Sequence, residues 1–148
     1  MPYRNVVVGT DGSETAELAV RHAAELAKMF GGRLTIVTAF VPKPEEEARR
    51  LEEAPPDVRW AITDATSAEE RANKGKAIAK DVGISDVKLR VDSGDPAALL
   101  LDAADATGGD VIVVGSKGMT GAKRFLLGSV PNQVSHHAPC DVVIVHTA

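Results

Sequence analysis

Five short runs of branched aliphatic residues recur along the chain, at 6–8, 34–37, 87–91, 111–114 and 142–145. Four of them are nearly continuous, the pattern of parallel strands covered on both faces. In the third, Val87, Leu89 and Val91 alternate with charged residues, which predicts a strand at a sheet edge. The segments between the runs carry helical spacing. Ala16, Ala19, Val20, Ala23, Ala27 and Phe30 fall on one helical face, with Ser13 as N-cap and Gly31-Gly32 as the stop. A second stripe, Ala68, Ala72, Ala79 and Val82, ends at Gly83, its start blurred by Asn73 and Gly75. A third helix opens with Asp95 as cap and Pro96 at its first position, then presents Ala97, Leu100, Leu101 and Ala104 before Gly108-Gly109. A fourth, short helix starts at Ser129, tolerates Pro131 in its first turn and ends near His137.

Alternation of strand and helix throughout predicts an α/β fold: one open, doubly wound, Rossmann-like parallel sheet with helices on both faces. A strand order of 3-2-1-4-5 puts strands one and four side by side, their following loops facing each other across the crevice. The exception to regular alternation is the stretch 41–63, which holds four of the eight prolines and the charged run 45–53. A surface loop with at most one helical turn is expected there.

With 148 residues the chain suits a single domain. The formal net charge of -4 argues against a nonspecific grip on nucleic acid or acidic lipid, since both require a basic surface. Cys140 is the single cysteine and has no internal partner, and no signal-peptide pattern precedes the first strand. No apolar run approaches the roughly 20 residues of a membrane span. A soluble protein of the reducing cytoplasm is expected. His22, His136, His137 and His146 show no metal-ligand spacing, and the pair at the end of the fourth helix complements its dipole. Cys140 reads as an inert thiol at the start of the last strand.

Open α/β sheets bind ligands outside the carboxyl ends of their strands, so the chemistry is sought in those loops. After strand one comes Gly9-Thr10-Asp11-Gly12-Ser13, with two glycines, a carboxylate and a capping serine in front of the first helix. Exposed N–H groups and the helix dipole favour an anion there, and Asp11 suits a cation bound to that anion. The same residues are equally explained as a capped turn in which Asp11 and Ser13 serve only backbone N–H groups. After strand four, beyond Val114, comes Gly115-Ser116-Lys117-Gly118, and then Lys123, Arg124 and Gly128-Ser129 leading into Val130. Glycines here let the backbone approach a ligand, free N–H groups open the fourth helix, and three cations suit a polyanion or simply face solvent.

The spacing Gly115, two residues, Gly118, nine residues, Gly128-Ser129 resembles the nucleotide-binding signature of the universal stress protein family. The Thr10-Asp11-Gly12-Ser13 start and the 142–145 end are similar to that family as well. The resemblance implies an adenine nucleotide, ATP first or cyclic AMP instead, with Mg or Mn at its phosphates. It places Asp11 near the phosphates or their metal, the Ala39 backbone beside the adenine, and Gly115 and Gly118 along ribose and phosphate, with Gly9, Thr10, Val114 and Lys117 also counted among the nucleotide-binding residues. Gly128, Ser129 and Val130 then surround the phosphates. It further implies a homodimer through the last strand, where an uncovered apolar edge is a liability. Ala39 is smaller than the branched residue expected against the base.

Neither a Gly-x-Gly-x-x-Gly after strand one nor a Gly-Lys-Ser/Thr ending is present, so dinucleotide and P-loop binding are excluded. A regulatory module without efficient hydrolysis is expected, because Asp11 is the one carboxylate in these loops and a residue holding a metal is poorly placed to activate water also. Two other classes stay open: an ATPase or phosphotransferase using Asp11, Lys117 and Ser129, and a phospho-receiver using Asp92 at the end of strand three. The receiver lacks an acidic pair after strand one and a lysine after strand five.

Overall fold

The computed structural model describes residues 3–40, 52, 64–116 and 129–147. The elements are β1 (Asn5–Gly9), α1 (Glu14–Met29), β2 (Arg33–Phe40), α2 (Asp64–Val82), β3 (Val87–Ser93), α3 (Pro96–Thr107), β4 (Val111–Gly115), α4 (Ser129–His137) and β5 (Asp141–Val145). The sheet runs β3-β2-β1-β4-β5 with every pairing parallel. This is the order expected from the sequence, with the charged, alternating β3 at one edge. The loop expected over 41–63 lies outside the described residues, apart from the helical Glu52.

Successive strand residues face opposite sides, and the core divides accordingly. Val6, Val8, Leu34, Ile36, Val111 and Val113 pack against Ala19, Val20, Ala23, Ala24 and Ala27 of α1 and Ala79 of α2. On the other face Val7, Val37, Ile112 and Val114 pack against Ala97, Leu99, Leu100, Ala103 and Ala104 of α3 and Val134 of α4. The helices contribute mostly alanine and the strands mostly branched residues. Each fully buried Val, Leu or Ile stabilises the fold by roughly 1.5–3 kcal/mol relative to exposure.

Helix ends follow local chemistry. Ser13 accepts from the Ala16 N–H at 3.2 Å, and Asp95 accepts from the Ala98 N–H at 3.0 Å. Pro96 begins α3, and Gly108 ends it in the left-handed region at φ 64°. Phe30 departs from expectation. It caps α1 with 38% of its surface exposed and meets Tyr3 edge-on at 5.6 Å, outside the buried stripe. In α3 the buried face takes in Leu99 and Ala103 and leaves Leu101 at its margin, a rotation of the stripe set by where the helix meets β1 and β2. Cys140 lies in the bend before β5 and is half-buried; burial first, then the charges of Asp141, Asp110 and Asp105, push its thiol pKa up and hold it protonated.

Helix α2 runs unbroken through Asn73 and Gly75, the residues that blur its start in the sequence. Gly75 is itself buried, continuing the stripe of Ala68, Ala72 and Ala79. A Cβ at this position would sit 3.4 Å from both Cδ1 and Cγ2 of Ile36 and 3.7 Å from Cγ2 of Thr10. The helix and β2 approach so closely there that an alanine Cβ would sit at ordinary contact distance and leave no room for a larger side chain. Gly75→Val should therefore lower stability by about 1–3 kcal/mol through overpacking, while Gly75→Ala stays within about 1 kcal/mol of the parent. Urea unfolding of both variants checks this, and equal stability of the valine variant would contradict it.

Candidate ligand cleft at the sheet switch point

Crossovers leave β1 toward one face and β4 toward the other, so a crevice opens beyond the carboxyl ends of these neighbours. A cleft of about 700 Å³, counting its open mouth, occupies that position. Its walls include Gly9, Thr10, Asp11, Ser13, Thr15 and Ala16 from β1 and the start of α1, and Val37 and Ala39 from β2. Pro96 and Leu100 of α3, Val114 and Gly115 of β4, Val130 of α4 and Thr147 beyond β5 complete the described lining. One wall is thus apolar, and the other presents hydroxyls, backbone and one carboxylate.

The β1–α1 turn is held from within. The Thr10 N–H donates to the Val37 carbonyl at 3.0 Å, and Thr38 Oγ1 donates to the Thr10 carbonyl at 3.1 Å. Thr10 Oγ1 accepts from the Gly12 N–H at 3.1 Å, and Asp11 Oδ1 accepts from the Ser13 N–H at 2.9 Å. Gly12 adopts φ +81°, a conformation that favours glycine. Asp11 and Ser13 therefore do serve backbone N–H groups, as the capped-turn reading has it, and both also line the cleft. Helix α2 braces the turn from outside. Lys74 Nζ donates to the Gly12 carbonyl at 3.3 Å and pairs with Glu17 at 2.8 Å, and the Glu17 carboxylate raises the lysine pKa.

At the other wall, the Ser116 N–H donates to the Val145 carbonyl at 2.8 Å and Ser116 Oγ accepts from the Thr147 N–H at 3.1 Å. Both side chains are buried, their hydroxyl oxygens 3.4 Å apart. A Cβ on Gly115 would lie 3.0 Å from Thr147 Cγ2, so glycine at the end of β4 permits this close approach. Thr147 went unread in the sequence, as did Leu100 and Pro96 in their role as walls, because their place at the cleft depends on which strands pair.

Of the residues singled out in the sequence, Gly9, Thr10, Asp11, Ala39, Val114, Gly115 and Val130 come together around this one cleft. Ser129 is exposed at the first position of α4, next to Val130. Lys117, Gly118, Lys123, Arg124 and Gly128 lie outside the described residues. Asp92 is exposed on the edge strand β3, paired in register with Ala39. Among the described residues no three His, Cys, Asp or Glu side chains gather as a metal site.

Sheet order, glycine-bearing strand ends and a half-apolar cleft at the switch point define a doubly wound α/β protein of the small-ligand-binding kind. Comparison with known proteins narrows the class. The model of the universal stress protein family matches residues 2–146. A Staphylococcus aureus (strain USA300) protein named as a universal stress protein is 32% identical over 146 residues, covering 98% of this chain and 85% of the relative. A crystal structure of a universal stress protein in complex with cAMP superposes with a TM-score of 0.73 at 33% identity, covering 100% of both chains. The universal stress protein of Archaeoglobus fulgidus in complex with dAMP gives a TM-score of 0.67 at 25% identity, covering 97% of this chain and 98% of the other. The chain belongs to the universal stress protein family.

The turn in front of α1 provides a direct check on this geometry. Gly12→Ala would force φ +81° on a side chain whose Cβ falls 2.7 Å from Arg71 Cγ. A loss of about 1–3 kcal/mol is expected in urea unfolding, and an unchanged midpoint would show the turn to be adaptable.

Proposed function

We propose that this chain binds an adenine nucleotide in the switch-point cleft, ATP first, and acts as a stress-response or regulatory module of the cytoplasm. The observation that carries the reading is the two-sided lining of the cleft. Val37, Ala39, Pro96, Leu100, Val114 and Val130 suit the faces of a purine, while Asp11 and the N-terminus of α1 stand at the opposite side. Free N–H groups at a helix N-terminus favour phosphate. Two family members that superpose over nearly the whole chain hold cAMP and dAMP, which supports an adenine nucleotide and keeps cyclic AMP as the second ligand.

Asp11 is the one carboxylate among the described walls, and it is exposed at the mouth. That fits a Mg or Mn ion shared between Asp11 and phosphates, and it leaves no second carboxylate among those walls to activate water. The reading is therefore of a nucleotide-binding module with slow or absent hydrolysis, supported by Asp11 being the one carboxylate in the two sequence loops.

The site has three direct tests. Nucleotide released from freshly purified, denatured protein should be an adenine nucleotide. Calorimetry on the stripped protein should show ATP binding that Ala39→Phe abolishes and that Ser129→Ala weakens. Steady-state hydrolysis should stay at background; multiple turnovers lost on Asp11→Ala would overturn the non-enzymatic reading. If neither ATP nor cyclic AMP binds the parent, the nucleotide reading fails.

A homodimer through β5 belongs to the same proposal. Strand β5 ends the sheet, and Ile144 on it is 37% exposed. An apolar edge strand of this kind invites pairing with a second copy. Light scattering should give twice the chain mass, and a charged substitution, Ile144→Lys, should shift the population toward monomer.

A further inference from the structure

Lys117, Lys123 and Arg124, the cations of the sequence's second glycine-bearing loop, lie outside the described residues, and the described walls of the cleft carry one charge. Asp11 is their only charged residue, and it is negative. A polyphosphate brings several negative charges to the same end, and the α1 dipole offsets only part of one. Two cations of α2 lie against the turn that forms this end. Lys74 already pairs with Glu17 and donates to the Gly12 carbonyl. Arg71 differs: no ion pair joins it to any other described residue.

The stem of Arg71 is laid across Gly12, with Cγ 2.7 Å, Cδ 2.9 Å and Cβ 3.1 Å from where a Gly12 Cβ would stand. Its guanidinium begins one bond beyond Cδ. The two neighbours of Gly12, Asp11 and Ser13, both line the cleft, so the turn is one residue thick between this side chain and the ligand space. Because Gly12 lacks a Cβ, the arginine stem can lie this close. Half-burial of Arg71 and the Lys74 anchor one turn later restrict where the charge can go. Guanidinium groups bind phosphate through paired N–H donors and are stronger partners than solvated lysines.

We propose that Arg71 is a specificity-determining residue of the cleft, reaching over Gly12 to the terminal phosphates and favouring nucleoside polyphosphates over cyclic or monophosphate ligands. This rests on the adenine-nucleotide reading. It assigns discrimination at the phosphate end to α2, an element outside the two glycine-bearing loops.

The test is calorimetric titration of ATP, AMP and cyclic AMP into the full chain and its Arg71→Gln and Arg71→Lys variants, with magnesium held constant. Arg71→Gln should weaken ATP about tenfold, leave AMP and cyclic AMP within about twofold, and flatten the salt dependence of ATP binding. Arg71→Lys should recover part of the ATP affinity. An equal loss for all three ligands would mean that Arg71 only supports the turn, and no change for any would mean that it does not reach the phosphates; either overturns the proposal. If the parent binds AMP and cyclic AMP but not ATP, the proposal fails while the nucleotide reading stands. If the parent binds none of the three, both fail together.

Discussion

Val6 pairs with Val111, Val7 with Ile112 and Val8 with Val113, and these three parallel pairs join the halves of the sheet. The strands concerned are separated by about a hundred residues, and no local signal brings them together. Once they pair, α1 must cover one face and α4, beside α3, the other, because right-handed crossovers from β1 and β4 run in opposite directions. A crevice then opens between the N-termini of α1 and α4. The described walls of the cleft follow from that one juxtaposition: Gly9, Thr10, Asp11, Ser13, Thr15 and Ala16 on one side, Val114 and Gly115 on the other, with Ala39, Leu100 and Val130 brought in by the neighbouring layers.

The economy of side-chain volume in the helices keeps the cleft close to the backbone. Five of the buried positions in α1 are Ala19, Val20, Ala23, Ala24 and Ala27, and α3 adds Ala97, Ala103 and Ala104. Small residues let both helices lie near the sheet, and Gly75 of α2 takes the same logic to its limit against Ile36 and Thr10. Close packing of α2 is also what lets Arg71 and Lys74 touch the β1–α1 turn. The ligand end of the molecule is therefore braced by an element that precedes β3, far from the glycine-bearing loops in sequence. Packing density and placement of charge at the cleft are two results of one constraint.

Polar groups near the cleft are spent on one another as much as on any ligand. Thr10, Thr38, Asp11 and Ser13 close the first turn, and Ser116 with Thr147 closes the exit of β4. Such local satisfaction gives a preorganised rim, which lowers the ordering cost of binding. It also explains why a capped turn and a ligand site were equally good readings of residues 9–13: the same atoms close the turn and lie along the cleft.

By itself the sequence determined the elements, the edge position of β3, the caps at Ser13 and Asp95, the stop at Gly108, and the β1–α1 turn and β4 end that line the cleft. These are local matters, settled by periodicity, capping chemistry and turn residues within a few positions of each other. Tertiary structure alone decided that Phe30 leaves the core to meet Tyr3, that Gly75 continues a buried stripe, that Thr147 and Leu100 become walls, and that Arg71 lies across Gly12. Each of these is a contact between residues distant along the chain. Strand pairing and helix approach set such contacts, and no pattern within a single segment encodes them.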